Sequence, residues 1–187
     1  MPRIIDKLLA ALGLLVLSPI LLAAAIWIKL DSRGPVFYRQ PRVGEGERPF
    51  EMLKLRTMKE GSDPVGIGTA VLQGDPRVTR SGRFLRRTSL DEVPNLVNVL
   101  RGEMALVGPR PALPAHVDHF SLHGHRRFDV LAGITGWAQV RGRAGIPWEE
   151  RVELDAWYVE HRSAWLDLRI LAKTFALVAT GQGLAPD

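Results

Sequence analysis

No cysteine occurs anywhere in the 187 residues. That excludes disulfides, thiolate catalysis and cysteine-bound metals, and it fits a reducing compartment. There is no Walker or dinucleotide fingerprint, no H-E-x-x-H and no internal repeat, so the common nucleotide-loop and zinc-protease readings fall away. Aromatic residues are few, at 7%, and they do not interleave with the basic runs, which argues against a nucleic-acid module. Charge of either sign is missing from Leu8 to Ile28.

What is present is an apolar N-terminus on a basic chain. Lys and Arg number 25 against 20 Asp and Glu, a net charge of +5. Such a balance suits nucleic acid, anionic lipid or phosphorylated substrates without choosing among them. Leu8–Ile28 reaches about 31 Å as a helix, a spanning length. A signal peptide is disfavoured because the apolar run continues through Ile26-Trp27-Ile28 with no polar cleavage region. Arg3 and Lys7 precede the run and Lys29 and Arg33 follow it, so both ends are drawn to the same side of a membrane. Pro19 removes one helical hydrogen bond and predicts a kink, and Ser18 is placed to satisfy the freed carbonyl. Local sequence leaves a kinked span and a helix that enters and returns as alternatives.

Beyond Asp31–Pro35, a turn, the runs "VFYRQPRV" and "PFEMLKLR" flank "GEGER" and predict a β-hairpin. Lys54 and Arg56 close its second strand and share a face with Phe50 and Met52 by the period of two. Residues 60–76 are Gly-rich and polar and read as a surface loop, and Gly66-Ile67-Gly68 is too weak to be a nucleotide motif. A helix is predicted from Ser89–Asp91 to Arg101 with Gly102 as its left-handed cap. Helical pattern resumes at about 112–130, 147–162 and 164–180, the last reading as an interfacial or core-packing helix.

The informative window is "RFLRRTSLDEVPNLVNVLRGEMALVGPRP". A structural account is available, with Ser89 and Glu92 as a capping box. It does not explain why Arg80, Arg83, Arg86 and Arg87 precede an acid pair, Arg101 follows it, and Arg110 sits in a rigid Gly-Pro-Arg-Pro. Cations at that density call for an anion, and a helix start is a phosphate-binding environment. Asp91 and Glu92 could hold Mg²⁺, and an aspartate can also accept a phosphoryl group. Asp155 lies on an apolar helix face and needs a partner, either at this site or as a structural ion pair with an arginine. His116, His119 and His123 share one predicted helical face, a zinc-capable spacing. A solvated or membrane-facing stripe is the preferred reading for them.

"KLRTM", "DPRVT", "TSLDEVPNLVNVLRGEMALVGPRP" and "GITGWAQV" occur in this order, and together they resemble the bacterial sugar transferase family. These are monotopic polyprenyl-phosphate phosphoglycosyl transferases, and the similarity covers nearly the whole chain in what looks like the minimal catalytic form. The resemblance implies an α+β, mainly helical fold with a re-entrant membrane helix (1–30) broken at Ser18-Pro19. Interfacial helices and a small hairpin belong to a continuous cytoplasmic-face catalytic domain (31–187). It implies transfer of a sugar 1-phosphate from a UDP-sugar to undecaprenyl phosphate with release of UMP, at the cytoplasmic face of the bacterial inner membrane. Asp91 would be the nucleophile and Glu92 its partner in handling Mg²⁺, while Lys54, Arg56, Arg86 and Arg110 would meet phosphates and Asp155 would support them. Membrane lipids are implied partners, nucleic acid is not, and a homodimer is compatible with the pattern. Arg141, Ala144 and Ala105 depart from residues common in the family. The rival reading, a non-catalytic basic membrane-anchored protein that binds anionic lipids or polyanions, gives no reason for the ordered motifs.

Overall fold

The computed structural model describes residues 3–62, 74–142 and 146–180. Most of the loop expected at 60–76, with Gly66-Ile67-Gly68, lies outside these residues, as does Ala144.

Helix α1 (Arg3–Asp31) is long and apolar enough to cross a membrane by length and composition, with a mean hydropathy of 2.6 over an 18-residue window. It does not break at Ser18-Pro19. Helical structure continues through Pro19, and the Leu15 carbonyl that the proline leaves without a backbone donor accepts the Ser18 hydroxyl at 2.8 Å. The expected break is one lost backbone bond inside an uninterrupted helix.

One stripe of α1 faces the rest of the chain. Asp6, Ala10, Ala24 and Ile28 are buried, and Gly13, Leu17 and Leu21 between them are partly covered, at spacings of three and four residues. Ala10 packs with Met52, Val99 and Met104, and Ala24 and Ile28 pack with Leu55 and Leu85. The opposite side leaves Leu15 72% and Leu30 83% exposed, with Leu8, Leu12, Val16 and Leu22 alongside. Both ends are tied to the same body. Arg3 pairs with Glu45 at 2.9 Å, and Asp31 accepts the Ser81 amide and hydroxyl, each at 2.8 Å.

Strands β1 (Phe37–Val43) and β2 (Pro49–Leu55) form the predicted antiparallel hairpin, with Tyr38 opposite Lys54 and Arg42 opposite Phe50. Helix α2 (Arg80–Arg87) follows, opened by Thr79, whose hydroxyl accepts the Gly82 amide. Gly82 lies so close to the Thr57 carbonyl that a Cβ would come within 2.0 Å of it, which seats α2 against the end of the hairpin.

The helix predicted from Ser89 is divided. Leu90–Glu92 form a single 3₁₀ turn, and helix α3 spans Asn95–Arg101 with Gly102 left-handed at φ 79°. Ser89 makes no capping bond and sits at φ 56°, ψ 17°, so the capping box is not formed. Next come the short parallel strands β3 (Ala105–Val107) and β4 (Gly133–Thr135), neither of them predicted. The helix expected at 112–130 resolves into a 3₁₀ turn at Pro114–His119, the one-turn helix α4 (Leu122–His125) and a second 3₁₀ turn at Arg126–Asp129. His116 and His119 therefore lie on a different element from His123, which bonds Glu153. Helices α5 (Trp137–Arg141), α6 (Trp148–His161) and α7 (Ala164–Thr180) complete the fold, α6 and α7 close to their predicted bounds. On α7, Leu166 and Ile170 join Val107, Trp137 and Tyr158 in the core, while Trp165 and Phe175 point outward. Mainly helical with small sheets, the architecture is α+β.

Candidate active site

Two segments converge on the carboxylate of Glu92. The 3₁₀ turn carries Asp91 and Glu92, and the left-handed Ser89 before it lets Leu90 join the Leu55–Leu85 cluster. A left-handed non-glycine residue costs on the order of 1–3 kcal/mol and persists where the surroundings over-determine it. Glu92 is clamped on both oxygens. Arg110 approaches them at 2.5 and 3.3 Å, and Lys54 from β2 reaches Oε1 at 3.2 Å.

Arg110 is held by the backbone around it. Gly108 and Gly133 approach so closely that a Cβ on Gly133 would lie 2.1 Å from the Gly108 nitrogen. The Gly108 amide bonds the Thr135 carbonyl at 2.9 Å and the Gly133 amide bonds the Pro109 carbonyl at 2.8 Å. This crossing explains why "GPRP" and "GITG" both need glycine, and it fixes the segment that delivers Arg110.

The two acids are treated unequally. Burial would raise Glu92, but Arg110 and Lys54 outweigh it and hold the carboxylate well below the usual range. Asp91 is pushed up to about 6, first by burial and then by the neighbouring Glu92 charge. Its carboxyl makes no hydrogen bond with the described residues. Adjacent acids driven in opposite directions are suited to separate roles, one as a fixed anion and one as a group free to react. Arg86, from α2, borders Asp91, with its Nε–H on the Thr57 hydroxyl at 2.9 Å.

Asp155 stands one layer back. From α6 it pairs with Arg127 at 2.9 Å, both almost fully buried, and Arg127 also donates to the Arg110 carbonyl at 2.6 Å. Burial raises Asp155 to about 6 despite Arg127. Its contact with the site thus runs through Arg127, a residue the sequence reading did not single out. Arg56 is a correction. The strand ends at Leu55, and the Arg56 guanidinium turns to the carbonyls of Ile28, Ser32 and Arg33, where it caps the end of α1. Those bonds occupy it away from the acid pair. Arg42, also unremarked in the sequence, lies on the hairpin face shared with Lys54 and donates to the Pro111 carbonyl at 3.0 Å.

No group of three His, Cys, Asp or Glu stands together among the described residues, so no protein-only metal cage is formed there. Adjacent oxygen donors at Asp91 and Glu92, the first without a hydrogen bond to the described residues, are nevertheless of the kind that could hold Mg²⁺. That ion commonly takes one or two carboxylates and completes its shell with substrate phosphates and water.

A reactive acid beside a clamped one, ringed by cations next to an exposed apolar helix, defines an enzyme for anionic substrates in a membrane-associated protein. The chain belongs to the bacterial sugar transferase family, whose pattern matches residues 1–181. It is 41% identical to an uncharacterized sugar transferase, EpsL, of Bacillus subtilis, over 97% of this chain and 89% of that protein. It is 45% identical to the UDP-glucose:undecaprenyl-phosphate glucose-1-phosphate transferase of Caulobacter vibrioides, over 95% of this chain and 69% of that one. With the Escherichia coli protein of the same name it shares 44% identity, over 90% of this chain and 38% of the longer relative.

Proposed function

We propose that this chain transfers a sugar 1-phosphate from a UDP-sugar to undecaprenyl phosphate in two steps, through an ester on Asp91. The names of its relatives supply the substrate classes. The observation that carries the mechanism is the division of labour in the acid pair. Glu92 is bound on both oxygens, whereas the Asp91 carboxyl makes no hydrogen bond with the described residues and is flanked by Arg86.

In the first step an Asp91 oxygen attacks the phosphorus that bears the sugar. A new O–P bond forms, the bond from that phosphorus to the bridging oxygen breaks, and UMP departs with the electron pair. In the second, a phosphate oxygen of undecaprenyl phosphate attacks the same phosphorus and the Asp91 ester breaks, restoring the carboxylate. The sugar–oxygen bond survives both steps. Lys54, Arg86 and Arg110 offset the charge that accumulates on the phosphoryl oxygens. Mg²⁺ held by Asp91 and Glu92, when bound, would supply further charge neutralisation on the diphosphate.

The same reading makes the protein monotopic at the cytoplasmic face of the inner membrane. Its support is that both ends of α1 bond to one domain while a stripe along the helix packs on that domain and the outward side stays apolar. A helix crossing to the far side would carry Arg3 away from Glu45.

Intact-mass analysis of the purified protein with Mg²⁺ and a UDP-sugar, before any lipid is added, tests the mechanism. The wild type should gain one phosphosugar as UMP appears, and Asp91→Asn should do neither. Ordinary UMP release by Asp91→Asn would remove Asp91 as the nucleophile.

A further inference from the structure

We infer that Arg42 binds the diphosphate of the nucleotide sugar, forming the hairpin wall of the active site beside Lys54 and Arg110. The inference rests on the transfer reading above for the identity of the substrate.

Position comes first. Directly opposed residues of an antiparallel pair point to one face, and alternate residues of a strand share it. Tyr38 lies opposite Lys54, so Tyr38, Gln40 and Arg42 all project to the side on which Lys54 meets Glu92. Arg42 is further fixed by donating Nη1–H to the Pro111 carbonyl at 3.0 Å, one residue beyond Arg110.

Its bonding differs from that of the other cations around Glu92. Lys54 and Arg110 have Glu92, and Arg127 has Asp155. Among the described residues Arg42 hydrogen-bonds only to neutral acceptors, the Pro111 carbonyl and the Gln40 amide oxygen at 2.7 Å, and its Nε is buried with no hydrogen-bond partner there. Burial, and then the nearby Arg110, lower its pKa to about 10. A desolvated charge whose hydrogen-bond partners are neutral is costly, and an anion bound beside it would offset that cost.

Charge balance points the same way. With Arg127 cancelled by Asp155, four cations (Arg42, Lys54, Arg86 and Arg110) face two carboxylates, Asp91 and Glu92. Even before any divalent ion is counted, the site carries surplus positive charge, which suits the negative charges of a nucleotide diphosphate. The planar guanidinium is also suited to bind two phosphate oxygens at once, which a lysine cannot do.

The test compares wild type, Arg42→Lys and Arg42→Met, each as the full chain in nanodiscs with Mg²⁺. UDP and uridine serve as probes in competition binding, and thermal midpoints serve as a fold check. UDP should bind Arg42→Met roughly 10- to 100-fold more weakly, as loss of a charge-assisted contact predicts, while uridine affinity holds. Arg42→Lys should fall between them, and the midpoint of Arg42→Met should not drop, because no ion pair is broken. Unchanged UDP affinity in Arg42→Met would overturn the assignment, as would equal losses for UDP and uridine. Phosphosugar adduct formation by the wild type is scored separately, so failure of the transfer reading shows there and not in UDP affinity.

Discussion

Replacing Asp91 by Asn should destroy turnover and at the same time make the protein more stable. The residue keeps its volume and loses a charge that the fold resists. Burial and the adjacent Glu92 move the Asp91 carboxyl from 3.8 to about 6. Because the folded state holds this proton more tightly than the unfolded chain, ionisation costs stability. The cost is absent below the ordinary carboxyl pKa, grows as pH rises and is complete above about 6. Roughly two units at 1.36 kcal/mol each set a ceiling of about 3 kcal/mol, and partial exposure of the carboxyl brings this to about 1–3 kcal/mol. For a domain of this size that is a rise of about 2–12 °C in the unfolding midpoint. Thermal unfolding of both proteins in EDTA, at pH 4.5 and pH 8, measures it, the chelator keeping any divalent ion from the carboxylates. The gain should be large at pH 8 and mostly gone at pH 4.5. An Asn variant less stable than wild type, or a gain equal at both pH values, would refute the account of Asp91 as a strained, unpaired acid.

Arg110→Lys keeps the charge but loses one of two contacts to Glu92, so UMP release should fall by about 10- to 100-fold in kcat/KM. Asp155→Ala strands the buried Arg127 charge and should cost about 3–5 kcal/mol in chemical unfolding, whereas Asp155→Leu combined with Arg127→Met should recover much of it. Single cysteines at Arg3 and Glu60, clean labels in a chain without native cysteine, should both resist an impermeant thiol reagent in intact cells and react once the membrane is opened. Labelling of position 3 from outside would mean that α1 spans the membrane.

Legibility followed the length of the periodic signal. The hairpin announced itself through two alternating runs around a Gly-containing turn, and α6 and α7 through sustained helical period. Strands β3 and β4 have three residues each, too few for alternation to register, and they are held by long-range pairing with one another. The segment 112–130 is apolar at helical spacings, but Pro114 and the Ser121 cap on the Gly124 amide divide it into separate turns. The acid pair could be picked out from the surrounding cations, yet its local geometry could not, because nothing at Ser89 signals a left-handed residue. The period of two linked Lys54 with Arg56 correctly only as far as the strand lasts. It stops at Leu55, so Arg56 turns to α1. Arg42 follows from the same rule applied across the hairpin, once the register is known.

Glu92 also bears on how the protein comes into being. Its two oxygens join Lys54, 38 residues earlier in the chain, to Arg110, 18 residues later. Behind Arg110, Arg127 in turn waits for Asp155 on a helix made later still. Closing such loops is entropically uphill until the partners on both sides have arrived, and long-range contacts form late. During synthesis the hairpin and α1 leave the ribosome well before the segments that complete the clamp. The reactive centre is therefore among the last things this chain builds, and no excised fragment short of Arg42 through Asp155 holds all of its parts.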